Sequence, residues 1–555
     1  MKRLLALLLS LLLAVPAGVA EGQAVSGESV LGRVMEIEGA ELTFVSGTFP
    51  DMPGQPRSDG EVPAMPGGQV PEGGEAPAMP GGQPPMADGF VPDGEEMTVT
   101  ITDATAISVE EDGGARDGTL ADVAVGNIVR VIFGEDDTVA SLTVLAGAPM
   151  GGFGGAADNG TAATTIAEDG TYSDGQYISE GNDENALRID GATVELVGVT
   201  IDKRGGASSS TENGDFYGAN AGLLALNGAQ VTLEDAAIST AARNGNAVFS
   251  YGGGTRVTVR NSTVSTLNDN SGGLQTAGGG ETYAESCTVT TAGASSAAIR
   301  SDRGGGTVTV EGGSYETGGT GSPAIYSTAD IGVQRATLIA SASEAVVVEG
   351  KNSVSLTDCA VTGNMAGTYG DSTENIHNVM LYQSTSGDAD VGLTSFAMTG
   401  GSLTALAGDM FYITNTQAEI TLNGVDMAYA EGGALLRAEG NDAARGWGTP
   451  GANGADVDFT AVSQVLEGDV VVDSISTLDF VLSGGSAFNG TINIVENAQG
   501  GAAVDGNANV AIGEGCTWTL TGDCSLTSLE NHGEIVFDGY SITLADGTVV
   551  SDLNR

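Results

Sequence analysis

The chain is poor in the residues that most enzymes use to move protons or hold metals. Its 555 residues include two histidines, His377 and His532, and four cysteines, Cys287, Cys359, Cys516 and Cys524. That supply excludes a histidine-rich metal centre, and the cysteine spacing fits no zinc motif. Cations are scarce too: 19 Lys and Arg stand against 72 Asp and Glu, for a formal charge of −53. A surface this acidic repels nucleic acid and anionic membranes. It also repels polyanionic glycans unless a divalent cation bridges them. No segment after residue 20 reaches the ~18 consecutive apolar residues that suggest a membrane span, so no membrane insertion is expected. No cofactor is called for, and calcium is the one ion these residues leave open.

What is present begins with the opening "MKRLLALLLSLLLAVPAGVAEG". Two cations precede an apolar run from Leu4 to Val15, and Gly18 and Ala20 suit a −3/−1 cleavage site. Residues 1–20 therefore read as a secretory signal peptide, and the mature chain is expected outside the cell or at its surface. Its removal takes Lys2 and Arg3 with it and moves the charge from −53 to −55.

Residues 21–147 read as a small β-barrel. "ESVLGRVMEIEGAELTFVSGT" gives two strands about a turn at Gly39, and "VGNIVRVIF" with "DDTVASLTVL" gives a hairpin. The region resembles small β-barrel domains common on exported bacterial proteins. Within it, residues 49–96 repeat "AMPGGQ" and carry Pro and Gly without apolar periodicity, which predicts a disordered or extended loop. A glycine-rich linker follows over 148–165.

From there to residue 555 one pattern recurs. "TVELVGVTI", "QVTLEDAAI", "RVTVRNSTV", "TVTVEGGSY" and "SVSLTDCAV" each place two apolar residues two apart, a third after three more, and a fourth two beyond. A shorter strand precedes each, such as "LLALN", "AIRSD" or "AVVVE". Units spaced mostly ~21–37 residues apart predict a solenoid, here an all-β, right-handed parallel β-helix over 166–555 closed by a C-terminal cap. Equivalent residues then stack in columns. One inner column reads Val199, Ala236, Ser262, Cys287, Gly313, Ala336, Cys359, Gly401, Val425. Its neighbour runs from Ile201 through Tyr315 to Met427. Cys287 and Cys359 lie three coils apart, ~14 Å at the usual strand spacing, too far for a disulfide. Cys516 and Cys524 can pair or remain thiols.

On the first strand of each unit, two columns point outward. One reads Arg188, Ala225, Phe249, Gln275, Arg300, Tyr326, Val347, Met380, Tyr412, Leu436. The other reads Asp190, Asn227, Tyr251, Ala277, Asp302, Thr328, Glu349, Tyr382, Thr414, Ala438. Aromatic faces beside carboxylates and guanidinium suit sugar rings. The expected binding face is therefore Phe249, Tyr251, Arg300, Asp302, Arg303, Tyr326, Glu349, Tyr382 and Tyr412, and its partner a polysaccharide or cell-surface glycan. The competing reading is that these aromatics lie beneath a long loop. Asp388 and Asp390, in "GDADVG", have a spacing that fits calcium, catalysis or a plain turn.

On "NAGLLALNGAQVTL", "SSAAIRSDRGGGTVTVEGGSY", "GSPAIYSTADI" and "EAVVVEGKNSVSLTDC", residues 160–555 resemble secreted bacterial β-helix proteins of the pectin-lyase-like superfamily. The resemblance implies fold and export. It implies function less sharply, because that superfamily holds lyases, hydrolases, glycan binders and adhesins. Its lyases set an Arg or Lys base beside calcium held by acidic residues, which would make Arg300 or Arg303 the base, with Asp302 and Glu349 as ligands; the family's lyase motifs are not matched. The expectation is thus an exported, non-catalytic β-helix that presents a surface for carbohydrate binding or adhesion. The alternatives are a calcium-dependent polysaccharide lyase and a structural cell-surface scaffold. Intact-mass measurement of the exported protein should find residues 1–20 missing; a retained Met1 would overturn the signal-peptide assignment.

Overall fold

The computed structural model describes residues 29–38, 41–48, 91–102, 105–111, 114–120, 123, 128–133 and 139–144, then 158–368 and 374–552. Residues 1–20, expected to be a signal peptide, most of the 49–96 insertion and the expected linker up to residue 157 lie outside the described residues. The chain divides into two units, residues 1–154 and 155–555.

In the first unit seven strands form one sheet, in the order Val91–Thr100, Glu41–Thr48, Ser29–Glu38, Ile128–Phe133, Val139–Val144, Ala106–Glu111, Gly114–Asp117. Both expected hairpins are present: Glu38 pairs with Glu41 about the turn, and Val131 with Leu142. Alternate residues of these strands, among them Val34, Leu42, Phe44, Val129, Val131 and Leu142, form a single buried core. The sheet is a half-barrel whose edge strands are not paired with each other among the described residues. The strand Val91–Thr100 begins inside the range expected to be loop.

The second unit is a parallel β-helix. Each full coil contributes one strand to each of three sheets; Leu223–Leu226, Gln230–Glu234 and Ala237–Thr240 are one such turn. The sheets hold thirteen, fourteen and ten parallel strands and are called here the first, second and third sheet. A four-stranded sheet beginning at Val465–Glu467 serves the last coils. The C-terminal end closes where Val549–Val550 turns back antiparallel on Ile542–Leu544.

Both inner columns are borne out. Ile201, Ile238, Val264, Val289, Tyr315, Leu338, Val361, Leu403 and Met427 pair in unbroken register. The other column lies one residue before the third-sheet strands, and its carbonyls accept from the next coil, as Cys287 O does from Ser314 N at 2.9 Å. Before it runs a column the alternation did not reveal: Gly198, Asp235, Asn261, Ser286, Gly312, Arg335, Asp358, Gly400 and Gly424 all have left-handed backbone, φ 48–66°. This residue turns the chain from second to third sheet, which is why Gly, Asp and Asn dominate it.

Polar ladders line the corner between third and first sheets. Ser271, Ser296 and Ser322 each accept an N–H from the preceding coil through Oγ, at 2.9 Å. Thr240, Thr266, Thr291 and Thr317 each donate through Oγ1 to the carbonyl five residues on, across the corner of their own coil. In later coils Phe396, Phe411, Phe459, Phe480, Phe488 and Trp518 stack through the interior at 5.1–6.0 Å. All four cysteines are free and buried, so Cys516 and Cys524 do not pair. Cys516 precedes a strand of the four-stranded sheet, whereas Cys524 opens a strand of the capping sheet.

The corners give a stability prediction. A Cβ on Gly401 (φ 70°) would fall 2.1 Å from Cys359 O, whereas one on Gly424 (φ 62°) meets nothing within 4 Å. Gly424→Ala should cost about 1 kcal/mol for the left-handed backbone alone. Gly401→Ala should cost clearly more, read as urea midpoints. Equal losses would contradict the tight contact between coils.

Candidate functional site

The outward columns of the first sheet are not bare. The register differs from the expected columns in the second and last of these coils. Leu224 and Arg437, rather than Ala225 and Leu436, stand in the column of Phe249 and Arg300; Leu226 rather than Asn227 stands opposite Asp190, and Ala438 pairs with Ile413, outside the column of Thr414. The larger difference is burial. Phe249 is 0% exposed, Glu349 and Tyr412 1%, Asp302 3%, Tyr382 7% and Arg300 9%. Tyr251, Arg303 and Tyr326 are partly buried. The expected open face is buried in two further clusters, one holding Phe249 and Tyr251, the other Tyr326, Tyr382 and Tyr412.

Excursions from the coils cover it. The first, residues 204–222, carries the short helix α1 (Thr211–Tyr217), capped by Ser210 and by left-handed Gly218. It presents Asp215 to Arg300 Nη2 at 3.1 Å, while Arg300 Nε meets Asp302 Oδ2 at 2.7 Å. Gln275 Nε2 donates to the same Asp302 oxygen at 2.8 Å. Burial pushes the Asp302 carboxyl above the usual carboxylate range, and Arg300 pulls it back. Arg303 lies 4.4 Å over the Phe216 ring and bonds Asp388 Oδ1 at 2.5 Å, which pins the excursion 383–392. That excursion also gives Ser384 Oγ to Glu349, whose other oxygen accepts from Tyr326 at 2.6 Å and Tyr382 at 2.7 Å. Trp447, from residues 439–455, packs on Tyr382 at 4.9 Å. Arg445 lies over Trp447 and bonds Glu374 of residues 364–376 at 3.0 Å.

The sequence thus placed these residues on one sheet face, where the structure divides them between two covered clusters instead of leaving them open. Arg300 has both carboxylate partners in place, which does not suit a base. Asp388 is committed to Arg303, and Asp390 is exposed, with its carbonyl accepting from Lys351 N. Among the described residues no group of three or more His, Cys, Asp and Glu is arranged to hold a metal ion, and no helix is long and apolar enough to cross a membrane.

A cleft of about 350 Å³ opens beside this core, past Tyr412. Its walls are Glu374, Asn375, Glu439, Gly440, Asn441, Asp442, Asp473, Glu496, Asn497 and Gln499. Glu439 and Asp473 each follow the matched pair Ala438 and Val472, so they are neighbours on successive coils. Asp473 is saturated: Oδ2 accepts from Gly440 N at 2.7 Å and from Asn497 Nδ2, and Oδ1 from Ile475 N at 3.1 Å. Glu439 Oε1 accepts from Asn375 Nδ2 at 2.8 Å, and Oε2 lies 3.7 Å from Arg437 Nη1, whose Nε is held by Asp409 at 2.7 Å. Burial, against the pull of Arg437 and with the push of Asp473 and Asp409, raises Glu439 to about 7. Beneath Tyr412, at 5.1 Å, lies His377; burial works against its charge, and Glu344 outweighs that and raises it.

The cleft escaped sequence reasoning because Asp473 ends a strand and Glu439 and Glu496 sit just past one, in "VVVDSI", "LLRAEGND" and "TINIVENAQ". The signal available was an acidic residue at or just after the end of the first-sheet strand in three consecutive coils. No family model and no curated protein matches this chain.

Glu439 carries a pH signature. Unfolded, the group ionises near 4.5; folded, it holds its proton to about 7. Between those values the folded state binds the extra proton, so stability is lost as pH rises. Urea midpoints at several pH values across this window should fall with rising pH, and Glu439→Gln should flatten part of that fall. An unchanged slope would rule out the raised value.

Proposed function

We propose that this is an exported, non-catalytic β-helix protein that binds carbohydrate in the cleft beside Tyr412. The observation that carries the reading is the lining: carboxylates and carboxamides crowd one concave wall with an aromatic edge at its side. Such groups meet sugar hydroxyls in directional hydrogen bonds, and a concave wall holds several at once. The rest of the first-sheet exterior, sealed by its excursions, serves as the scaffold that holds the wall rigid. Export follows from the N-terminal segment, and a polysaccharide or cell-surface glycan is the partner an exported protein of this charge would meet. The parallel β-helix is compatible with this reading, as a fold that hosts many functions.

A calcium-dependent lyase is the second reading, since a β-helix with an acidic cleft is compatible with it. The two separate cleanly. Mature protein should retain oligosaccharides on a glycan array, and the rim variant Asp442→Ala/Gln499→Ala should lower retention about tenfold, the loss expected from one or two hydrogen bonds. It should release no unsaturated uronide from polygalacturonate with calcium. Equal retention by the variant would dismiss the cleft, and uronide release would establish the lyase.

A further inference from the structure

We propose that His377 is a pH-released clasp: as an imidazolium it ties residues 374–376 to the coil before them, and it lets them go when it loses a proton. The inference is independent of what the cleft binds.

The support is the pair of oxygens that the ring faces. His377 is 0% exposed and Glu344 7%. Nδ1 lies 2.6 Å from Asn375 O, and a carbonyl only accepts, so Nδ1 carries a proton. Nε2 lies 3.5 Å from Glu344 Oε1, an ion pair at the long end of its range. A neutral ring protonated on Nδ1 would turn the lone pair of Nε2 toward that carboxylate. The imidazolium turns an N–H toward it instead. Glu344 sets the same requirement from its own side. Its other oxygen accepts from Ser343 Oγ, and among the described residues its one ion pair is with His377. A buried carboxylate that loses its cation is strongly destabilising. The ring's other neighbours offer no substitute charge: Tyr412 stacks on it at 5.1 Å, and its backbone N–H meets Met365 Sδ at 3.4 Å.

What the clasp holds is a wall. Glu374 and Asn375 line the cleft, and Asn375 is gripped twice: its carbonyl by His377, its side chain by Glu439 Oε1, which accepts from Nδ2 at 2.8 Å. Deprotonation at either ring nitrogen removes one link, to Asn375 O or to Glu344. Four further titratable groups face this corner: Glu374, Glu439, Asp409 and Tyr412. Arg445 answers Glu374 at 3.0 Å and Arg437 answers Asp409 at 2.7 Å, while burial pushes the Tyr412 phenol upward and keeps it neutral. Burial works against charge on His377; Glu344, Asn375 O and Glu374 outweigh it and raise the ring above the ordinary 6.5. Burial would also raise Glu344, yet His377 and Ser343 hold it down to about 2, so it stays ionised while the ring titrates. A raised folded-state value means that the clasp is fully formed below 6.5 and is lost as pH climbs through that value.

The test is a pH series on the mature, nitrogen-15-labelled protein, with His532→Gln at the exposed second histidine clearing the imidazole spectrum of other signals. At the acid end both ring nitrogens of His377 should be protonated, and the midpoint should lie above 6.5. Amide protection of residues 374–377, corrected for the intrinsic pH dependence of exchange, should fall in step with that titration. The fall should be about tenfold for each unit by which the midpoint exceeds the ordinary value. Glu344→Gln should lower the midpoint and shrink the step. Glu439→Gln, which removes the other group that titrates near neutrality, should leave the step in place. A ring that stays singly protonated across the series, or that titrates at or below 6.5, overturns the clasp. So does protection that ignores the titration, and so does an unmoved midpoint in Glu344→Gln. A step that vanishes in Glu439→Gln while the ring still titrates would hand control of the wall to Glu439. Should Glu344→Gln fail to fold, the titration and the exchange of the chain with Glu344 intact still decide.

Discussion

Everything in the second unit depends on one constraint: the backbone of each coil is hydrogen-bonded to the coils before and after it. A parallel ladder admits no slippage, because a shift of one residue would send every apolar side chain to the opposite face. Insertions are therefore confined to corners. The long excursions 204–222 and 364–376 leave between a third-sheet strand and the next first-sheet strand. Those at 383–392, 439–455 and 496–507 leave between a first-sheet strand and the second sheet. All five flank the first sheet. Its exterior is covered because all five leave along its two borders.

That geometry explains what the sequence disclosed and what it withheld. Inner columns were legible because alternation and a fixed corner length repeat in every coil, so Cys287, Gly313 and Ala336 could be stacked by counting. The outward columns slipped by one at Ala225 and Leu436 because "GLLAL" and "ALLRA" are apolar on both faces: Leu223, Leu224, Ala225 and Leu226 are all buried. There alternation carries no information about which face is inside. Burial of Tyr382 and Tyr412 was illegible for a different reason. It is decided by Ser384, Asp388 and Trp447, which belong to aperiodic excursions and have no counterpart in neighbouring coils. The half-barrel was legible as hairpins, while the start of its strand at Val91 was hidden by Pro92 and Gly94, residues that ordinarily mark a loop.

The scarcity of cations takes on meaning in the same place. Excursions from a chain of this charge bring carboxylates with them, and folding them over the first sheet takes Asp215, Asp388 and Glu374 largely out of water. A buried carboxylate without a partner is strongly destabilising, and removing one member of a buried pair costs about 3–5 kcal/mol. Arg300, Arg303 and Arg445 each meet one of these carboxylates, at 3.1, 2.5 and 3.0 Å. The pair of arginines around Asp302 is thus neither a catalytic base nor a sugar clamp. It is the fastening that lets acidic excursions lie on an acidic β-helix.

The cleft is where that compensation stops. Past Arg437, the excursions 439–455 and 496–507 bring Asp442 and Glu496 toward Asp473 and Glu439 without a further guanidinium in the lining. Asp473 keeps its charge company with three hydrogen-bond donors, Gly440 N, Asn497 Nδ2 and Ile475 N. Glu439, with one donor at 2.8 Å and an arginine at 3.7 Å, is left short, and the proton it retains to about 7 is the molecule's own answer to the deficit. With that proton in place Glu439 and Asp473 stand side by side on successive coils, and because the register of the coil ladder fixes their spacing, protonation rather than a shift of backbone relieves the repulsion.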